Sequence, residues 1–205
     1  MEPHTSKGYD ELLERAHALA GEMCVRVERQ LVDAIESLSS GEPALVDQIL
    51  RHEAVVNSLE RSIDAAAGQI IARRQPTGSD LRLLLALLNV TTDLERVGDE
   101  AKKIALQARH IYAGRALDEL DARAAAELAR RDAAADAMFR GLTRQLVSYM
   151  IEDPRTISAC LDILLAAKSL ERVGDHAMNV SEHVMYACTG RDVRHASVQE
   201  KSVIP

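Results

Sequence analysis

The chain has 205 residues, 47% of them apolar, with one Phe, four Tyr, no Trp and a formal net charge of −7. That much apolar material excludes a disordered chain, and an aliphatic core with so few aromatic or β-branched residues favours packed helices over a sheet. The negative balance, with no long Lys/Arg cluster, argues against a nucleic-acid partner held through its phosphates.

The opening MEPHTSKGYDELLER is polar and charged and does not read as a signal peptide. From about Tyr9 to Leu38 apolar residues recur at three- and four-residue steps (Leu12, Leu19, Met23, Val27, Leu31, Ile35, Leu38), which predicts a first helix. Ser39-Ser40-Gly41 ends it, and Pro43 suits the first turn of a second helix running to about Arg73. Gln75-Pro76-Thr77-Gly78 breaks that helix. Ser79 or Asp80 is the expected cap of a third, which continues to about Tyr112 before Ala113-Gly114 closes the first half. Arg131 to Ile151 repeats the second helix, Glu152-Asp153-Pro154 repeats the break, and Thr156 to about Cys188 repeats the third. Arg115 to Arg130 is too short to match the first helix in full.

The repetition is explicit. Leu94-Glu95-Arg96-Val97-Gly98-Asp99 returns unchanged as Leu170-Glu171-Arg172-Val173-Gly174-Asp175, an offset of 170 − 94 = 76 positions. The expected fold is all-α: two tandem three-helix bundles from an internal duplication, the fourth helix short or missing. Residues 1–113 form the first bundle, 114–190 the second, and 191–205 a polar tail.

Each repeated unit places a Glu and an Asp four residues apart, on one helical face. Like charges at that spacing cost a few tenths of a kcal/mol, roughly, unless something compensates, and a bound cation is the simplest agent. Antiparallel packing of the second and third helices brings Glu53 and Asn57 toward Glu95 and Asp99, and Asp132 and Asp136 toward Glu171 and Asp175. Asn179 and Glu182 or His183 continue the second stripe, while the first has Lys103 in the place of Asn179. The second, all-carboxylate set is therefore expected to be the stronger site. Oxygen ligation of this kind suits iron, manganese, magnesium or calcium, and zinc less typically. The opposing reading is that Arg96 and Arg172 neutralise the acids and leave no ion site. Gly98 and Gly174, costly inside helices at about 1 kcal/mol relative to Ala, imply a close approach of a cluster or a neighbouring helix. Thr91 and Thr92 can bond back to the helix they lie on.

Nothing catalytic stands out. Glu14-x-x-His17 has the spacing of a di-iron ligand pair but has no second copy, and no phosphate loop, dinucleotide fingerprint, nucleophile elbow or zincin motif is present. Cys24, Cys160 and Cys188 are too scattered for a disulfide framework or a cysteine zinc site and are expected to be reduced thiols. The longest apolar run, Leu83 to Leu88, is too short to cross a bilayer, so a soluble cytoplasmic protein is expected.

The segments DLERVGDEAKKIA (from Asp93) and SLERVGDHAMNVSEHVMYACTG (from Ser169), with RRQPTGSDLR (from Arg73) and YMIEDPRTI (from Tyr149) at the inter-helix turns, resemble the PhoU family of phosphate-signalling regulators. The resemblance runs from about Tyr9 to His195. It implies two three-helix bundles whose E/D-x-x-x-D motifs bind multinuclear metal clusters, here on Glu95, Asp99, Glu171 and Asp175, with Glu53, Asp132 and Asp136 facing them. It further implies a non-enzymatic, negatively acting regulator of the phosphate regulon and of high-affinity phosphate uptake. The implied partners are a PhoR-like sensor histidine kinase and a PstB-like ATPase of the phosphate ABC transporter, with the protein a homodimer reaching the membrane only through them. The competing readings from the residues themselves are a carboxylate-bridged metalloenzyme and a purely structural helical interaction protein.

Overall fold

The structure is a computed structural model that describes residues 7–113 and 135–190. Among the described residues there are five α-helices and no strand: α1 (Lys7–Ser40), α2 (Pro43–Arg74), α3 (Gly78–Ala113), α4 (Ala135–Glu152) and α5 (Ile157–Thr189). The fold is all-α, as its composition implies. Residues 115–130, where a shortened helix is expected, lie outside the described residues, as do 131–134 at the start of the helix expected from Arg131.

The boundaries have local causes. Gly41, with φ of 66°, ends α1 in the left-handed conformation that glycine adopts without strain. The Tyr112 ring lies where a Cβ on Gly41 would stand, and its hydroxyl donates to the carbonyls of Leu38 and Ser39 at 3.0 and 3.1 Å. The end of α3 is thereby fastened to the end of α1. Pro43 opens α2, and Gln75 closes it at φ of 47°. α3 starts at Gly78, ahead of both Ser79 and Asp80, so neither is its N-cap; Asp80 instead lies in the first turn, where its negative charge complements the positive end of the helix dipole. Asp153 caps a 3₁₀ turn at Pro154–Thr156 by accepting from the Arg155 backbone N–H at 3.0 Å, and α5 follows directly. Thr91 and Thr92 both donate to the Leu88 carbonyl at 3.0 Å, the back-bonding their side chains allow.

Burial follows the periodicity. On α2 the buried residues are Val46, Ile49, Glu53, Val56, Leu59, Ile63, Ala67 and Ile70, in steps of three and four. They pack α2 against α1 and α3, and the three helices contact one another pairwise as a bundle. α4 packs on α5, and among the described residues the most extensive helix contact is α3 against α5. One core cluster crosses between the halves, joining Ile104, Ala105 and Ala108 of α3 to Ile163, Ala166 and Ala167 of α5 and to Leu146 of α4. The alanines let the two long helices approach closely. Polar side-chain pairs fix their direction. Asp93 meets His176 and His183, Glu100 meets Arg172, and His110 meets Asp162. As numbering rises along α3 it falls along α5, so the pair is antiparallel.

Candidate metal centre

Glu53 of α2 and Glu95 and Asp99 of α3 converge: each offers a ligand oxygen, and these oxygens lie within 4.8 Å of one another. Glu53 is buried, and Glu95 and Asp99 are partly so. Three carboxylates this close repel in proportion to their ionisation. Burial raises the pKa of Glu95 above the ordinary glutamate value, and Asp99, Glu60 and Glu53 raise it further. Glu60, one α2 turn beyond Asn57, is also raised, by burial first and then by Asp64. The acidic field therefore extends along α2 past the three converging groups.

The site is held from α1. Gln30, fully buried, donates its amide to Glu53 Oε2 at 3.0 Å and to the Gly98 carbonyl at 3.1 Å, tying α1, α2 and α3 together at one point. Asn57 donates to Glu53 Oε1 at 3.2 Å. The amide nitrogens of both must face the carboxylate, which leaves Gln30 Oε1 and Asn57 Oδ1 buried without a donor. Lys102 Nζ lies 3.8 Å from Glu53 Oε1 and 3.6 Å from Asp99 Oδ1, too long for hydrogen bonds, so it tempers the negative charge without satisfying it. An all-oxygen donor set, surplus negative charge and two orphaned amide oxygens fit a hard, oxygen-seeking cation.

The arginines take their ion-pair partners elsewhere, although the Arg96 charge partly offsets the rise at Glu95. Arg96 pairs with Asp93 at 3.6 Å and Arg172 with Glu100 at 2.9 Å, both turned toward the α3–α5 seam. Lys103 likewise leaves the site and binds Glu100 at 3.0 Å; the cation beside the carboxylates is Lys102. Asn179 and His183 also leave the stripe they were expected to extend, to meet Asp93 at 3.4 Å each, beside His176 at 3.1 Å. The cause is helical drift: a four-residue step overshoots a 3.6-residue turn by about 40°, so two or three steps carry a stripe onto the neighbouring face. Glu171 is paired with Lys168 at 2.7 Å and Asp175 is exposed. Asp132 and the side chain of Asp136 lie outside the described residues. Glu14 and His17 are exposed on α1.

A family model described as "PhoU domain" matches twice, at residues 20–108 and 109–184. The chain belongs to the PhoU family. It is similar to the phosphate-specific transport system accessory protein PhoU homolog of Pseudomonas aeruginosa, 40% identical with 94% of this chain and 90% of that protein covered. It is similar also to the Escherichia coli accessory protein PhoU, 34% identical with 98% and 93% covered. The crystal structure of PhoU from Pseudomonas aeruginosa superposes with a TM-score of 0.80 at 33% identity, covering 89% of this chain and all of that one. The phosphate transport system regulatory protein PhoU from Streptococcus pneumoniae, at 20% identity and a TM-score of 0.74, shares the fold. These are names of accessory and regulatory proteins, not of enzymes.

Within this PhoU chain the two family matches differ in length, 108 − 20 + 1 = 89 residues against 184 − 109 + 1 = 76. Reading the motif alone misses Gln30, Glu60 and Lys102. Gln30 had a signal: it follows Met23 and Val27 and precedes Ala34 and Leu38 in the apolar register of α1, where a polar residue needs a buried partner. Glu60 had none, since its position matters only once α2 and α3 are packed.

Proposed function

We propose that this PhoU-family protein is a metal-binding helical adaptor that restrains the phosphate regulon and modulates high-affinity phosphate uptake. The observation that carries the metal reading is the convergence of Glu53, Glu95 and Asp99 beside two buried, partnerless amide oxygens. Glu53, Glu95 and Asp99 hold the cation in the first half. Glu171, Asp175, Asp132 and Asp136 hold its counterpart in the second. The ion is iron, manganese, magnesium, calcium or zinc, and it neutralises charge and braces helices without activating a substrate. The relatives' shared description as accessory proteins of a phosphate-specific transport system supports the rest. In that role the protein acts in the cytoplasm as a homodimer. It contacts a sensor histidine kinase and the ATPase of a phosphate transporter, and reaches the membrane only through them. Among the described residues no helix is long and apolar enough to cross a membrane.

Element-resolved metal analysis of protein purified without chelator or metal-affinity tag tests the site. Metal is expected at a fixed ratio, reduced in Glu95→Ala/Asp99→Ala and in Glu171→Ala/Asp175→Ala, with the larger loss in the second pair if all four of its carboxylates converge. A cation at 100 times its Kd stabilises the folded state by about 2.7 kcal/mol, so chelation should lower the melting temperature of the wild type and have little effect on the quadruple variant. Metal-free protein whose melting ignores both chelator and added divalent cation would overturn the metal reading. The regulatory reading is tested separately: deletion should leave phosphate-starvation genes on when phosphate is plentiful.

A further inference from the structure

The hexapeptide is identical in the two repeats, but the residues that flank it are not. The first repeat reads Asp93-LERVGD-Glu100 and the second Ser169-LERVGD-His176. We infer that these flanks form a pairing code: they have diverged so that α3 accepts the unlike helix α5 and rejects a helix like itself.

The two hexapeptides cross antiparallel at the seam. Asp93, Glu100, Ser169 and His176 are all buried there. At one end His176 Nδ1 lies 3.1 Å from Asp93 Oδ1, with His183 Nε2 3.4 Å from Oδ2 and Asn179 and Arg96 close by. Applying the repeat offset to this pair gives its counterpart: 93 + 76 = 169 and 176 − 76 = 100, so Ser169 and Glu100 occupy the other end. There Glu100 takes Arg172 at 2.9 Å and Lys103 at 3.0 Å. One end thus joins a carboxylate to imidazoles, and the other joins a carboxylate to an arginine and a lysine.

Identical flanks fail in either form. Two first-repeat flanks place a buried carboxylate against a buried carboxylate at both ends, where like charges make each other's burial more costly. Two second-repeat flanks leave both arginines with no acid across the seam. Only the mixed arrangement keeps the two buried acids at opposite ends of the seam, each facing unlike groups of the other helix. This explains why Arg96 and Arg172 are common to both repeats while their neighbours differ: an arginine is needed at both ends, an acid at one position of each. The same logic bars two copies of the chain from pairing α3 to α3.

The test is exchange of partners in the full-length chain, read by thermal melting. His176→Glu should lower the melting temperature by several degrees, because it sets a carboxylate against Asp93. Asp93→Ser added to it reproduces the Ser169–Glu100 arrangement, with Arg96 in the place of Arg172, and should recover at least half of the loss. At the other end Ser169→Asp should destabilise, and Glu100→His added to it should rescue. If a single variant does not fold, folding of its double counts as the rescue. Doubles that melt no higher than the worse single, at both ends, would overturn the code and leave each contact as an isolated hydrogen bond.

Discussion

Burial and neighbouring acids both hold the pKa of Glu95 above the ordinary glutamate value of 4.5. A carboxyl with a higher pKa in the folded chain binds its proton more tightly there. Its contribution to stability is therefore present below pH 4.5 and is lost as pH rises through the elevated value. In metal-free protein Glu95→Gln should thus melt above the wild type at neutral pH, with the gap closing toward pH 4. Saturating divalent cation should reverse the order. A wild type that melts higher in chelator at neutral pH would contradict this. The two repeated glycines separate in the same way. A Cβ on Gly98 would meet Gln30 Oε1 and Glu53 Oε2 at 3.5 Å, whereas one on Gly174 would meet nothing within 4 Å. Gly174→Ala should therefore gain most of the ~1 kcal/mol of helix propensity. Gly98→Ala should gain less, since its methyl lies against polar atoms that favour water or a cation; chemical denaturation of both variants measures the difference. The repeat made Glu95 and Asp99 legible, and Glu53 could be found by its correspondence to Asp132 in the second half. Lys102 was not legible, because choosing it over Lys103 depends on which way α3 is rotated against α2.

At the scale of the helix, the small residues of α3 decide how closely it meets α5. Ala105 is fully buried in the core that both halves share. Ala105→Leu inserts a larger side chain into this close crossing and should cost about 1–3 kcal/mol. Leu85→Ala, at an exposed position on the same helix, should cost far less; equal losses would mean that the crossing is loosely packed. The helices themselves were readable from apolar spacing, and their ends from Gly41, Pro43, Gln75-Pro76 and Gly190. The seam was not. Asn179 and His183 appear to prolong the Glu171–Asp175 stripe if four-residue steps are counted, yet the excess over 3.6 residues per turn takes them round to Asp93. Counting by fours holds for one turn and fails over three.

At the scale of the molecule, α3 belongs to both halves. One side carries Glu95 and Asp99 toward Glu53, and another carries Asp93 and Glu100 into the seam with α5. All four lie within a little over two turns of a single rod, clamped at its far end where Tyr112 grips the Gly41 turn. A small rotation of such a rod would be felt on both sides. Turning it by about 10° sweeps side-chain tips, some 5–6 Å from the axis, through about 1 Å, enough to break a hydrogen bond. A cation that drew Glu95 and Asp99 toward Glu53 would turn α3 and so disturb the histidines beside Asp93 on its other side. The ring signals of His176 and His183 in nuclear magnetic resonance should shift when metal is added to metal-free protein, although neither ring belongs to the Glu53–Glu95–Asp99 cluster. With the second set removed by Glu171→Ala/Asp175→Ala the shift should persist, and Glu95→Ala/Asp99→Ala added to that background should abolish it.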